Sequence, residues 1–173
     1  MKRIFSLVAL TIMAAISLSA SAQSFVGKWD SSAGSQAAML EAVGATIDTA
    51  TTTMVFNADQ TYDTYLYVKA GLNIEGISMT LLMEGNDRGT WSHSNNKLTM
   101  VSSGIELKNF DIEFGDPSLN AMKGYILESM RSAMNEGRGE AIEYETNFVN
   151  NNEVQLKYHI EYMPIEFTLV RIE

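Results

Sequence analysis

Four segments of the chain alternate apolar and polar residues with a period of two. They cover residues 77–83, 142–148, 154–160 and 163–169. A strand turns successive side chains to opposite faces, so each segment has one apolar face and one mostly polar face. This pattern is typical of an antiparallel sheet with a single buried side, and it predicts an all-β fold.

Short stretches rich in Asn and Asp separate the predicted strands at residues 57–60, 86–87, 95–96 and 150–152. These residues tolerate the left-handed conformations that hairpin turns need. Such short connections make strands run up and down in sequence, and closure into a barrel removes the exposed edges. We expect an antiparallel up-and-down β-barrel of about 8–10 strands, with a β-bulge where the apolar parity changes between Leu107 and Phe110. The segments counted as strands lie near 25–30, 50–56, 61–69, 73–84, 88–94, 96–103, 105–114, 140–149, 153–161 and 164–172.

Two segments break the alternation and are predicted to be helical. Asp116 and Pro117 form a helix start, with Asp at the N-cap and Pro in the first position. One inserted α-helix is expected over about residues 117–135, ended by Gly137. A short helix is expected after the first strand, over residues 35–43. The apolar residues of the longer helix recur at three- and four-residue spacing, at Leu119, Met122, Ile126, Met130 and Met134.

The first 22 residues have the pattern of a signal peptide. Lys2 and Arg3 precede an apolar run over residues 4–16, and the small residues 20–22 favour cleavage before Gln23. The apolar run is shorter than the roughly 20 residues that a membrane-spanning helix needs. We therefore expect one domain over residues 23–173, exported to the periplasm or secreted and not membrane-spanning.

Composition excludes several kinds of site and partner. The chain has no cysteine, which excludes disulfides, thiolate metal sites and a lipid anchor on an N-terminal cysteine. Its net charge is −9, and removal of Lys2 and Arg3 changes this to −9 − 2 = −11. A surface this acidic repels phosphate backbones, so no nucleic-acid partner is expected.

No catalytic, metal or cofactor motif stands out in the sequence. Asp111 with Glu113, and Glu143 with Glu145, have the i, i+2 spacing that places both carboxylates on one strand face. Paired carboxylates can hydrolyse glycosides, but such pairs are also common on the solvated strand faces of acidic proteins. We expect a protein without catalytic activity, metal or cofactor.

Several short motifs, in order along the predicted strands, resemble those of bacterial secreted lipocalin-like domains of the calycin superfamily. Gly27-Lys28-Trp29 is similar to the G-x-W of the first strand. Residues 56–62, FNADQTY, are similar to an F-x-x-D-G-T-aromatic hairpin. Residues 89–91, GTW, and 96–98, NKL, resemble the family's G-T-W and N-x-L strands, and Leu169-Val170-Arg171 resembles its closing strand.

The resemblance implies a closed barrel that binds a small apolar or amphipathic ligand, with structural closure by Gly27, Trp29 and Arg171. It places Arg171 beside the Trp29 indole, where a guanidinium stacked on the ring stabilises the contact by ~0.5–2 kcal/mol. The chain departs from the family pattern in three ways. Gln60 stands where a turn glycine is usual, and the long helix precedes the last three strands. The number of predicted strands also exceeds eight, which leaves a ten-stranded barrel like that of fatty-acid-binding proteins as an alternative.

The candidate ligand site is the apolar face that would line the barrel interior. Methionine side chains are flexible and polarizable, so a lining rich in methionine adapts to several apolar ligands. The alternative is a solidly packed barrel that meets a protein or glycan partner through its outer surface, at Tyr65 and Tyr67 or at the 117–135 helix. The interior candidates are Met54, Phe56, Met79, Leu81, Met83, His93, Met100, Tyr144, Phe148, Tyr158 and Phe167.

The leader generates a direct prediction. We expect the exported protein to begin at Gln23, as read by intact mass and N-terminal sequencing. Ala22→Leu is expected to slow this cleavage, because signal peptidase needs small residues before the cut. An exported chain that retains all 173 residues would contradict the prediction.

Overall fold

A computed structural model describes residues 25–31, 45–74, 76–136, 138–160 and 163–173. The predicted leader over residues 1–22 and the predicted helix over residues 35–43 lie outside these ranges. A 3₁₀ turn, Pro117–Met122, and one α-helix, α1 (Lys123–Glu136), lie between the fifth and sixth strands. The strands are β1 (Gly27–Ser31), β2 (Ala45–Phe56), β3 (Thr61–Ile74), β4 (Ile77–Ser94), β5 (Lys97–Phe114), β6 (Ala141–Asn150), β7 (Glu153–Ile160) and β8 (Met163–Arg171).

The strands form a closed antiparallel barrel in chain order. Each strand pairs with the next, and β8 pairs with β1. At the closing position Trp29 lies opposite Met54 of β2 on one side and Arg171 of β8 on the other. The predicted all-β, up-and-down barrel is therefore confirmed, and the described residues supply eight strands to it.

The prediction of a turn at residues 86–87 is wrong, and with it the count of ten strands. β4 passes through these residues without interruption, and β5 is equally continuous. Where β5 pairs with Glu84 and Gly85 it carries one extra residue, Lys108, and a second extra residue, Ser103, follows further along. Lys108 is the bulge expected from the change of parity. Because bulges bend and twist long strands, two long strands curve around the barrel where four short ones were expected.

Trp29 and Arg171 join the first and last strands at one end of the barrel. The Trp29 ring is fully buried, and its Nε1 donates to the Phe25 carbonyl oxygen over 2.7 Å. Arg171 Cζ lies 4.3 Å from the centroid of the Trp29 ring. The same guanidinium donates from Nη1 to the Val26 carbonyl oxygen at 2.6 Å and from Nε to the Asn151 carbonyl oxygen at 3.1 Å. One side chain thus connects the start of β1, the end of β8 and the turn between β6 and β7.

The helical insertion begins where the sequence predicts. Asp116 is the N-cap, and its side chain accepts a hydrogen bond from the Ser118 backbone N–H over 2.9 Å. The first turns are 3₁₀ and the chain becomes α-helical only at Lys123. Lys123 Nζ lies 2.6 Å from Asp111 Oδ1 on β5, which fixes the start of α1 against that strand.

α1 lies beside the part of β5 that β6 leaves unpaired. β6 pairs with β5 only as far as Val101, although β5 continues over residues 102–114. After the helix the chain returns to the middle of β5, where the Gly139 N–H donates to the Ser102 carbonyl oxygen over 2.9 Å. The helix therefore covers a strand edge that is otherwise open to pairing with another chain.

The apolar face expected on this helix is correct only in part. Leu119 and Ile126 are half-buried, but 51 % of Met122 is exposed. Met122 belongs to the 3₁₀ turn, whose tighter winding rotates it away from the face that an α-helix would give it. The expected helix stop, Gly137, and the side chains of Met130 and Met134 lie outside the described residues.

Gly27 allows the closing contact, which gives a test. Its φ is +137°, and a Cβ there would lie 2.4 Å from Arg171 Nη1. We expect Gly27→Ala to lower the free energy of unfolding by about 2 kcal/mol, because it combines backbone strain with displacement of the guanidinium. Urea denaturation measures the change.

Gly71→Ala is the matched control, because a Cβ at Gly71 would meet nothing closer than 3.8 Å. This variant should unfold at nearly the urea concentration of the wild type. Equal loss of stability in the two variants would show that Gly27 has no special role in closure.

Candidate functional site

The inward faces of the eight strands are defined by their register. Met83 of β4, for example, lies between Val68 of β3 and Phe110 of β5, and both of these are buried. Alternate residues along each strand share this orientation. All the interior candidates from the sequence fall on the inward faces: Met54, Phe56, Met79, Leu81, Met83, His93, Met100, Tyr144, Phe148, Tyr158 and Phe167.

One end of the barrel is filled with aromatic and aliphatic side chains. The Phe25 ring lies 5.5 Å from Phe56 and 6.1 Å from Trp91, centroid to centroid. We call this the packed end; its fully or almost fully buried residues are Phe25, Trp29, Phe56, Trp91, Leu98, Val154, Leu156 and Leu169. Such rings placed edge to face stabilise one another beyond the area they bury.

His93 belongs to the packed end. Its ring centroid is 4.9 Å from Phe25 and 5.9 Å from Phe148. Its Nε2 lies 3.0 Å from the hydroxyl of Thr146, which is buried. The structure therefore places His93 among protein contacts, beside Trp91 on the inward face of β4.

A group of polar side chains lies on the inward faces of β3, β4 and β5, next to the packed end. Asp87 accepts a hydrogen bond from the Tyr62 hydroxyl at 2.7 Å and another from the Ser102 hydroxyl at 2.5 Å. Thr64 of β3 lies directly opposite Asp87 in the register and is only 9 % exposed. Among the described residues nothing hydrogen-bonds its hydroxyl. We use the name polar layer for Tyr62, Thr64, Asp87 and Ser102.

Tyr144 faces the polar layer from the other side of the barrel. Its ring lies 5.7 Å from Tyr158 and 5.6 Å from Phe167. Burial, aided by the nearby Tyr158 and by the charge of Asp87, raises the pKa of Tyr144 to about 12. Burial and the hydrogen bond to Asp87 likewise raise the pKa of Tyr62. Both phenols thus stay protonated at neutral pH as hydrogen-bonding groups inside the barrel.

Beyond the polar layer, the inward faces of β2–β5 carry both buried and half-buried apolar side chains. Leu81, for instance, lies between Ala70 and Ile112, each about 1 % exposed, yet Leu81 itself is only half-buried. We call this part the far half; its half-buried lining includes Leu66, Met79, Leu81 and Met83. Some apolar surface of these inward side chains therefore remains accessible.

The outer wall carries shallow polar grooves. One of about 300 Å³ crosses β6, β7 and β8, where Lys157 pairs with Glu166 at 3.2 Å. Another of about 280 Å³ crosses β3, β4 and β5 and includes Tyr67 and Leu82. Tyr65, on the same outer face, donates to Glu84 at 3.3 Å.

The carboxylate pairs noted in the sequence lie on this outer wall. Asp111 pairs with Lys123, which holds the pKa of the Asp111 carboxyl below its usual value. Glu143 pairs with Lys97 at 3.0 Å and is exposed. Asp111 and Glu113 line the groove on β3–β5, whereas Glu143 and Glu145 lie apart from it, on β6. Within the described ranges, no group of three or more His, Asp or Glu side chains is placed to hold a metal ion.

Sequence reasoning missed the polar layer. Residues 86–87 were interpreted as a turn, which removed Asp87 from the interior, and neither Thr64 nor Ser102 was considered. The signal was present in the parity of β4: odd-numbered residues from Met79 to His93 all belong to one face, and Asp87 is among them.

No protein-family model matches the chain, and no curated protein matches it significantly. In the part of the chain that the structure describes, no helix combines the length and apolar character needed to cross a bilayer.

The raised tyrosine pKa values predict loss of stability in alkali. A tyrosine ionises near pH 10.0 when unfolded, whereas Tyr144 in the barrel keeps its proton to about pH 12. Its contribution to stability is complete below pH 10 and disappears as the pH rises through 12, because the unfolded chain then releases a proton that the barrel retains. The free energy of unfolding should fall over this interval.

Ultraviolet titration of the folded protein tests the assignment. Tyr144→Phe should remove tyrosinate absorbance that appears near pH 12, whereas Tyr125→Phe, which removes a ring that is 75 % exposed, should leave this late step intact. If the late step survives in Tyr144→Phe and is lost in Tyr125→Phe, the assignment is wrong.

Proposed function

We propose that this chain is an exported, lipocalin-like binding protein that holds a small apolar or amphipathic molecule non-covalently in its barrel and catalyses no reaction. One observation carries the proposal. In the far half the inward side chains of Leu66, Met79, Leu81 and Met83 are only half-buried, although neighbours such as Val68 and Ile112 are buried. Apolar surface that the protein's own side chains leave accessible inside a barrel is suited to covering by a ligand.

The energetics support an apolar contact with some polar orientation. Covering the far half removes apolar surface from water, which is favourable by roughly 25 cal/mol per Å². Met79 and Met83 adapt to ligands of different shape, because thioether side chains are flexible. The polar layer at the inner limit of the far half supplies hydrogen-bonding groups that orient one end of a ligand.

The family resemblance agrees with the geometry of three motif residues. Arg171 stacks on Trp29 at the closing strands. A Cβ at Gly89 would lie 2.0 Å from the Val101 carbonyl oxygen and 2.8 Å from the Tyr62 ring, so close strand approach requires glycine there. Gln60, at the position of the usual turn glycine, has a φ of 67°, the left-handed conformation that glycine adopts most easily.

Two adjacent leucines distinguish a ligand inside the barrel from one outside. Leu81 faces inward, whereas Leu82 lines the outer groove on β3–β5. We expect Leu81→Trp to weaken binding of a fluorescent fatty-acid probe about tenfold, or ~1.4 kcal/mol, because the indole occupies the ligand's volume. Leu82→Trp is the matched control and should bind like the wild type, with thermal unfolding showing that both variants fold.

A second candidate function is an interaction module that works through the outer wall. The groove containing Tyr67 and the exposed Met122 and Tyr125 favour it, since they present apolar and aromatic surface to solvent. If this function is the correct one, no probe binds inside the barrel, and Leu82→Trp is the variant that disturbs the partner contact.

A further inference from the structure

We propose that the barrel binds an amphipathic amine, with the protonated amino group held between Asp87 and Thr64 of the polar layer. The inference rests on the proposed function, because it names the class of ligand that enters the same interior. It depends on three features of the described residues: a carboxylate on an inward strand face, the absence of a Lys or Arg on the inward strand faces beside it, and a buried hydroxyl without a partner.

Asp87 is the one carboxylate on the inward faces of the described strands. Its two oxygens accept hydrogen bonds from Tyr62 and Ser102, which are neutral groups. Between the packed end and the far half, no Lys or Arg of the described strands shares the inward face with it. The nearest cation along the chain, Arg88, faces outward and pairs with Asp63 at 2.9 Å. A carboxylate that has hydrogen bonds but no counter-charge in this setting attracts a cationic group.

Thr64 provides the independent observation. Its side chain is nine-tenths buried, it faces Asp87 across the β3–β4 pair, and its hydroxyl has no hydrogen-bond partner among the described residues. A buried polar group without a partner destabilises the free protein. An ammonium group between the side chains of Asp87 and Thr64 donates hydrogen bonds to the carboxylate and to the Thr64 hydroxyl oxygen. It gives the carboxylate a counter-charge and the hydroxyl a hydrogen-bond partner.

The surroundings favour an amine that carries an apolar tail. Tyr144, which also faces inward, packs its ring against Tyr158 and Phe167 and so adds aromatic surface to the same interior. Along β4, the inward positions from Asp87 toward Met83 and Met79 lead into the far half. Four residues of strand from Asp87 to Met83 span roughly 13 Å, which matches an extended alkyl chain of about ten carbons.

Three probes with the same tail and different head groups test the inference. Decylamine, decanol and decanoate are each titrated below the critical micelle concentration against an environment-sensitive fluorescent probe bound to the mature protein at pH 7. The displacement of the probe gives the affinity of each compound. We expect decylamine to bind about tenfold or more tightly than decanol, and decanoate to bind most weakly, because Asp87 attracts the ammonium and repels the carboxylate.

Two Asp→Asn variants test which carboxylate causes the preference for the amine. Asp87→Asn should weaken decylamine about tenfold and leave decanol within about threefold of the wild type. Asp63→Asn is the matched control: it removes the same charge one residue from Thr64, but on the outer face beside Arg88. It should leave the order of the three probes unchanged. Equal binding of decylamine and decanol, or equal effects of the two variants, would overturn the amine site. Neither result would contradict the proposal that a ligand binds inside the barrel.

Failure of all three probes to bind would instead overturn the proposed function and the amine site together. Thr64→Val gives a readout that does not depend on Asp87. Because it replaces a hydroxyl without a partner by a methyl group of similar size, the ligand-free protein should unfold at a higher temperature. Its affinity for decylamine should fall about threefold or more relative to decanol. A lower unfolding temperature with unchanged decylamine binding would show that the hydroxyl is structural.

Discussion

The contact between Trp29 and Arg171 is the constraint on which the rest of the barrel depends. An up-and-down sheet has two open edges unless its first and last strands meet, and here the first strand has only five residues. Arg171 compensates for this short pairing by stacking on the indole and by donating to the carbonyl oxygens of Val26 and Asn151. The positive φ of Gly27 leaves the space that the guanidinium occupies.

Closure at this end determines how polarity is distributed inside the barrel. The indole of Trp29 and the rings of Phe25, Phe56 and Trp91 fill the packed end. Polar side chains are next, and buried and half-buried apolar ones lie beyond them. The outer wall carries several lysine–carboxylate pairs, and surface pairs of this kind contribute little energy.

Alternation of apolar and polar residues was sufficient to predict the fold, because a single buried face imposes a period of two on every strand. The Lys108 bulge and the Asp116 N-cap were also readable, since each leaves a local mark. The error at residues 86–87 has a physical cause: Asn and Asp favour turns, but pairing with β3 and β5 overrode that local preference. Met122 was misplaced because the sequence does not distinguish a 3₁₀ start from an α-helical one. The polar layer was missed through the same error, as Asp87 belonged to the supposed turn.

The composition of the polar layer is difficult to explain by stability alone. A valine at position 64 would fill the same space without burying a hydroxyl that has no partner. The half-buried Asp87 carboxylate is held by hydrogen bonds from Tyr62 and Ser102. The packed end itself is built mainly from leucine, valine and aromatic side chains. Groups that oppose stability concentrate where binding needs them. The composition of the polar layer therefore departs from what packing alone favours, at Thr64 most clearly.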